Sequence, residues 1–295
     1  MTLPPTAPSQ PALNRIALPP GEAGTSLPES ESFVDSIDAL LTPDECADIL
    51  RPHTEFGPVP GTHSKRTRVS FDDEALAELL WTRILPFYAD LVVVDEYGAR
   101  WTPEHLNPRF RLARYGVGGL FTPHFDGRRM ASVDSQGFMT INIYLNTLAP
   151  DAGGATRYLS HEGREILVTQ PEIGCAAAFR DSLLHEGAEV LAGEKYLLRT
   201  DVMFSRADGP FDFASAFGHL SKKEKGAAAL KIAVAVENAS NLDAAVEYYR
   251  KAFRLDPALE ERADTRGIKR DDEGVCMRDD RGFYKRDDEG QILDM

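Results

Sequence analysis

The stretch TPHFDG, residues 122–127, sets a histidine and an aspartate two positions apart, His124 and Asp126. Side chains alternate along an extended strand, so both project to one face. Alone, the pair reads either as a solvated polar face or as two ligands of a metal. DSLLHEG supplies a third donor, His185. Two neutral imidazoles and a carboxylate are the facial donor set of non-haem Fe(II) sites. Three ligands on one octahedral face leave three positions open, enough for a bidentate co-substrate and dioxygen. If 2-oxoglutarate supplies the electrons, a cation must meet its distal carboxylate. A buried cation is costly unless paired, so it stands out in an apolar strand. KYLLRTDVMF offers two on one face: Lys195, ten residues after His185, and Arg199. The competing readings are that both reach solvent, or that one is structural and paired with Asp201 or another acid.

The elements that must hold these residues show in the period of the apolar positions. In MTINIYLN, Met139, Ile141, Ile143 and Leu145 fall on one face, and Thr140, Asn142, Tyr144 and Asn146 on the other. FRLARY, REILVTQ, CAAAFR and KYLLRTDVMF read as further strands, parted by Gly-, Pro- and Asp-containing turns. Two helices precede them. Thr42-Pro-Asp-Glu45 is a capping box with proline at the first helical position, followed by Cys46, Ile49 and Leu50 at helical spacing. In DEALAELLWTRILPFY, Leu76, Leu79, Leu80 and Leu85 are expected to form one apolar stripe. Helices followed by many short strands imply a sandwich or jelly roll buttressed by helices.

The flanks differ in character. Residues 1–31 are rich in proline and poor in large apolar side chains, and are expected to be a disordered tail. Residues 32–206 form the body. Residues 207–260 hold two helical stretches joined at Ser240-Asn241. With Pro257 at a closing position, Ala233, Ala245, Ala252 and Tyr249 match the pattern of a single tetratricopeptide repeat, whereas Ala229 and Val236 replace its tryptophan and first tyrosine. The competing reading is a generic helical hairpin. Residues 261–295 carry RDDEG, RDDRG and RDDEG starting at 270, 278 and 286. They read as a small meander of turns or as a solvated charged tail. Calcium binding there lacks a twelve-residue loop pattern.

The 295 residues carry a net charge of −14, which argues against nucleic acid and anionic membrane as partners. Three well-separated cysteines, Cys46, Cys175 and Cys276, suggest a reducing compartment and no structural zinc. With no cationic, apolar leader and no long apolar run, a cytoplasmic or nuclear protein is expected.

Taken together, LNPRFRLARYGVGGLFTPHFDG, TINIYLN, GGATRYL and PEIGCAAAFRDSLLHEGAEVLAGEKYLLRTDVMF resemble the prolyl 4-hydroxylase-like branch of the Fe(II)- and 2-oxoglutarate-dependent dioxygenases. The resemblance covers roughly residues 32–206. It implies a mainly β fold, a double-stranded β-helix (jelly roll) with iron on His124, Asp126 and His185. It implies Lys195 at the distal carboxylate of 2-oxoglutarate, with Tyr144 and Tyr115 beside it, packing being the alternative for each tyrosine. Ala155 in GGAT departs from the family, which more often has an acid there. The implied reaction uses Fe(II), 2-oxoglutarate and O2, with ascorbate as reductant, and hydroxylates a C–H with release of succinate and CO2. GVGGLF reads as a flexible hairpin or lid. The substrate is expected to be a peptidyl residue, proline among the candidates, or a small molecule. A protein partner on the helical repeat is a further expectation. A different class also fits: a binding protein with an idle site, acting through that repeat and the charged tail.

Overall fold

The computed structural model describes residues 10–19, 31–59, 64–95, 98–238 and 241–259. The RDDxG segment lies outside the described residues. The chain divides into two units, residues 1–210 and 211–295.

The first unit is built on antiparallel strands. In chain order they are β1 (Ala12–Ala17), β2 (Phe33–Asp38), β3 (Gly57–Pro58), β4 (Thr67–Asp72), β5 (Val93–Val94), β6 (Arg100–Leu106) and β7 (Arg109–Tyr115). After these come β8 (Phe121–His124), β9 (Met130–Ser132), β10 (Ser135–Tyr144), β11 (Thr156–Leu159), β12 (Glu165–Thr169), β13 (Ala176–Arg180), β14 (His185–Gly187) and β15 (Lys195–Arg206). The large sheet runs β1-β2-β13-β10-β15-β7-β4-β3, with β5, β6 and β9 alongside. The small sheet runs β12-β11-β14-β8. A cleft lined from both sheets separates them, the arrangement of a double-stranded β-helix.

Period-two alternation decides what each face of the large sheet meets. Met139, Ile141 and Ile143 of β10, Phe110 and Leu112 of β7, and Leu198 and Val202 of β15 enter one apolar cluster. Helices α1 (Pro43–Leu50) and α2 (Glu74–Tyr88) complete that cluster with Cys46, Ile49, Leu76, Leu80, Ile84 and Tyr88. Their intervening neighbours, Thr140, Asn142, Tyr144, Arg111, Ala113, Tyr115, Lys195, Leu197 and Arg199, take the opposite face.

The caps of α1 and α2 follow from sequence. Thr42 Oγ1 accepts from Glu45 N, while Glu45 Oε2 accepts from Thr42 N at 2.8 Å. Asp73 caps α2 through Leu76 N. The apolar stripe of α2 differs from the expected one. Leu76 and Leu80 are buried, but Leu85 is 40% exposed, and Ala77, Ile84 and Tyr88 complete the buried face. Position 84, rather than 85, continues the spacing from 76, 77 and 80.

The proline-rich start is corrected in part. Ala12–Ala17 is a strand that pairs along its whole length with β2. Arg15 donates to both oxygens of Asp35 at 2.8 and 2.9 Å, and its guanidinium covers Phe33. Covering the edge of β2 satisfies backbone groups that would otherwise be open.

The second unit holds α3 (Phe213–Ala216), α4 (Lys222–Asn238) and α5 (Leu242–Leu255). Ala229, Ala233 and Val236 of α4 and Ala245, Tyr248 and Ala252 of α5 are buried, so small side chains let the two helices approach closely. Tyr249 Oη donates across to Glu237 at 2.6 Å. Among the described residues, no helix is long and apolar enough to cross a membrane.

Glu45 also ties α1 to α2. Arg83 donates to its two oxygens at 2.7 and 3.0 Å and to the Leu40 carbonyl at 2.9 Å. Burial alone would raise the Glu45 carboxyl; Arg83 and the Thr42 backbone more than offset it, leaving the pKa below the usual value. Removing one partner of a buried pair typically costs about 3–5 kcal/mol. Arg83→Ala should lose stability of that order at pH 7 in denaturant unfolding. Because the folded pKa is lowered, the pair stabilises the fold above the ordinary carboxyl pKa of about 4.3 and stops doing so as pH falls through the lower folded value. The gap between wild type and variant should therefore narrow on acidification. A gap that widens would contradict this role.

Candidate active site

His124 is the last residue of β8, and His185 is the first of β14, directly opposite it in register. Asp126 lies just past the strand rather than within it, its N–H bonded to the Asp181 carbonyl at 3.0 Å. Phe125, between the two donors, is 50% exposed, because the chain leaves the sheet at His124.

Three donor atoms converge, one each from His124, Asp126 and His185, all within 4.8 Å of one another. His124 Nδ1 lies 2.8 Å from the Thr122 carbonyl, and His185 Nδ1 lies 2.9 Å from that of Leu183. A carbonyl can only accept, so each Nδ1 carries the proton and each Nε2 is left with its lone pair. Those Nε2 atoms stand 3.8 and 3.7 Å from Oδ1 and Oδ2 of Asp126. Burial, then the neighbouring His185, brings His124 down to about 3, and burial also lowers His185. Both rings are neutral, so these are separations between neighbouring donor atoms, not ion pairs. Burial would raise Asp126, but Arg199 and the imidazoles outweigh it and hold the carboxyl at about 2. Thr140 Oγ1 donates to Asp126 Oδ2 at 2.6 Å, and Arg199 reaches Oδ1 at 3.0 Å. Phe121 stacks on His124, and Phe179 meets His185 edge-on, fixing both rings. Two neutral nitrogens and an ionised oxygen on one side of a cleft suit a divalent iron.

The cations divide. Arg199 sits between Asp126 and Asp201, at 3.0 and 3.4 Å. Lys195 is buried, and its ammonium donates to the Gly154 carbonyl at 2.6 Å. It meets no carboxylate among the described residues, and burial followed by repulsion from Arg66 lowers it to about 7. Tyr115 and Tyr144 flank it, their ring centres 5.4 and 5.5 Å from Nζ. Tyr144 Oη shares a 2.8 Å hydrogen bond with Thr156 Oγ1. The GGAT turn makes this possible. Gly153 and Gly154 have φ of 72° and 74°, where side chains are strained, and a Cβ on Gly154 would lie 2.7 Å from Leu148 Cδ1.

GVGGLF is not a loose lid in this arrangement. Gly118 N donates to the Val190 carbonyl, and Val190 N returns a bond to Gly119 O, at 2.8 and 2.9 Å. The sequence reading missed Arg66, Arg68, Arg111 and Asn142 of the cleft lining, and the role of Thr140 beside Asp126. The alternation of Arg66 and Arg68 in SKRTRVS was the available signal.

Residues 110–200 match the family model of the 2OG-Fe(II) oxygenase superfamily. No curated protein matches the chain. Many solved structures are similar at low identity, among them three of different kinds. A Pseudomonas putida prolyl-4-hydroxylase is 20% identical, with 59% of this chain and 92% of that one covered, at a TM-score of 0.42. The viral collagen prolyl hydroxylase of Paramecium Bursaria Chlorella virus-1, in its 2OG complex, is 19% identical, covering 58% and 96%, at 0.42. The non-heme alpha ketoglutarate dependent epimerase SnoN from nogalamycin biosynthesis is 14% identical, covering 59% and 78%, at 0.42. At such scores these likenesses carry no argument about the substrate. The matched residues 110–200 hold His124, Asp126, His185 and Lys195, so the family match and the convergent donor set both support a site for Fe(II) and 2-oxoglutarate.

Proposed function

We propose that this enzyme hydroxylates an aliphatic C–H of a peptidyl residue, proline being the leading candidate, with 2-oxoglutarate and O2 consumed and succinate and CO2 released. The observation that carries the chemistry is the convergence of His124, Asp126 and His185 in the cleft that also holds a buried lysine without a carboxylate. Fe(II) bound with 2-oxoglutarate supplies the oxidising power: R–H, O2 and 2-oxoglutarate become R–OH, succinate and CO2.

The chain's own residues do the rest. His124 and His185 present Nε2, each held in that tautomer by a backbone carbonyl. Thr140 and Arg199 orient Asp126 and keep it ionised. Lys195 pairs with the distal carboxylate, and Tyr144 and Tyr115 wall that end of the cleft against water. Arg199 already has two acids and is a positioning residue. Ascorbate serves as reductant for the iron. The helical hairpin of the second unit, if it works as a tetratricopeptide repeat does, supplies a grip on a protein substrate.

Succinate formation from 2-oxoglutarate with Fe(II) and ascorbate, even without substrate, tests the reading. His124→Ala and Asp126→Ala should each abolish it while the protein stays folded; undiminished turnover in both would sink the assignment. The lysine makes a separate prediction. Its free-state pKa is about 7, and a bound carboxylate favours the charged form, so binding takes up a proton above that pH. The affinity for 2-oxoglutarate should fall as pH rises through 7, by up to about tenfold per unit. Lys195→Ala should bind weakly and lose this dependence, and Arg199→Ala should keep it. Calorimetry in buffers of different ionisation enthalpy reads both.

A further inference from the structure

Three cations of the cleft have no part in the reaction just described. In register, Arg68 of β4 pairs with Ala113 of β7, and Arg111 of β7 pairs with both Ser70 and Arg199. Arg66, two residues before Arg68, joins them on the sheet face that carries Lys195. Arg66 donates to Tyr115 Oη at 2.7 Å, but its Nε is buried without an acceptor. The Arg68 guanidinium has no hydrogen-bonding or ionic partner among the described residues. Arg111 lies 3.5 Å from Asp201, an acid already shared with Arg199 and Asn107. Burial, then repulsion from Arg66, Arg111 and Arg199, lowers the pKa of Arg68.

The acids of the cleft do not balance them. Of the two carboxylates among its lining residues, Asp126 is engaged by Arg199, and Glu186 faces Arg157 at 3.1 Å. Fe(II), Asp126, Lys195 and 2-oxoglutarate sum to zero charge among themselves. Gathered like charges are costly unless an anion joins them.

We propose that Arg66, Arg68 and Arg111 form an oxyanion subsite for a carboxylate or phosphate carried by the substrate. The inference rests on the function proposed above and names its substrate class: the oxidised C–H belongs to an anionic molecule. Guanidinium forks match such oxyanions in bidentate geometry. The group comes either from a free acid or from an acidic side chain or terminus of a peptide.

Inorganic sulfate is the probe. Protein loaded with Fe(II) and 2-oxoglutarate under nitrogen should bind sulfate saturably in calorimetry. Arg68→Gln should weaken binding about tenfold, and Arg68→Lys less than that, because the charge stays while the bidentate fork is lost. No saturable binding to wild type, or unchanged affinity in Arg68→Gln, overturns the subsite. Wild type that fails to bind 2-oxoglutarate at all defeats the oxygenase reading instead, so the two failures are distinct. Two arms then separate the sources: 2-oxoglutarate consumption with a pool of small organic acids and phosphates, and with a pool of acidic peptides, each beside its neutral counterpart. Stimulation by one charged pool over its neutral counterpart supports the subsite and names the source. Equal stimulation by the neutral counterpart overturns it.

Discussion

A buried ammonium without a counter-ion is the constraint around which the cleft is arranged. Lys195 has the Gly154 carbonyl as its acceptor and two tyrosine rings as its walls. Taking a charge out of water costs several kcal/mol even after the protein relaxes. The lysine stays in place because the surrounding backbone is specialised to hold it. Two consecutive glycines at positive φ swing the Gly154 carbonyl toward Nζ, and the same turn sets Thr156 against Tyr144. A dipole at that point moderates the charge without neutralising it, and under the proposed function the co-substrate carboxylate completes the pairing. The donors His124, Asp126 and His185 face the same cleft, so under the proposed function a molecule with a carboxylate on Lys195 would present its other end to those donors.

Much of this was legible in the sequence. Alternation in MTINIYLN separated the residues that pack on helices from those that face the cleft, because a strand buried on both faces still has to treat them differently. His124, Asp126, His185 and Lys195 stood out because polar groups in apolar strands need a reason. Other features escaped for physical causes. Arg68 sits on a short strand between two helices and Arg66 just before it, where two arginines look like solvated charge until the neighbouring strand β7 supplies Arg111 beside them. The β1 strand was hidden by the prolines around it, since its stability comes from pairing with β2 and from Arg15 on Asp35 rather than from its own composition. Asp126 was placed inside a strand that ends two residues earlier, because the bend after His124 is made by long-range backbone bonding to Asp181.

The charge distribution reconciles an acidic chain with a cationic site. The net charge is −14, yet the lining of the cleft holds Arg66, Arg68, Arg111, Lys195 and Arg199 against Asp126 and Glu186. Outside the cleft, arginines are matched: Arg114 with Glu194, Arg109 with Asp72, and Arg100 with Asp208. Local field, not net charge, governs what enters a narrow cleft lined by one sign. An acidic exterior and a basic interior together favour small anionic groups presented at the mouth over large polyanions laid across the surface.

The most direct measurement is a crystal structure grown with Mn(II), an inert replacement for Fe(II), and 2-oxoglutarate under nitrogen, with the metal located by its anomalous signal. The account predicts a single strong peak within coordination distance of Nε2 of His124, Nε2 of His185 and a carboxylate oxygen of Asp126, with the far carboxylate of 2-oxoglutarate on Lys195 Nζ. A metal held elsewhere, or a 2-oxoglutarate whose far carboxylate sits on Arg199 and leaves Lys195 unpaired, would contradict it.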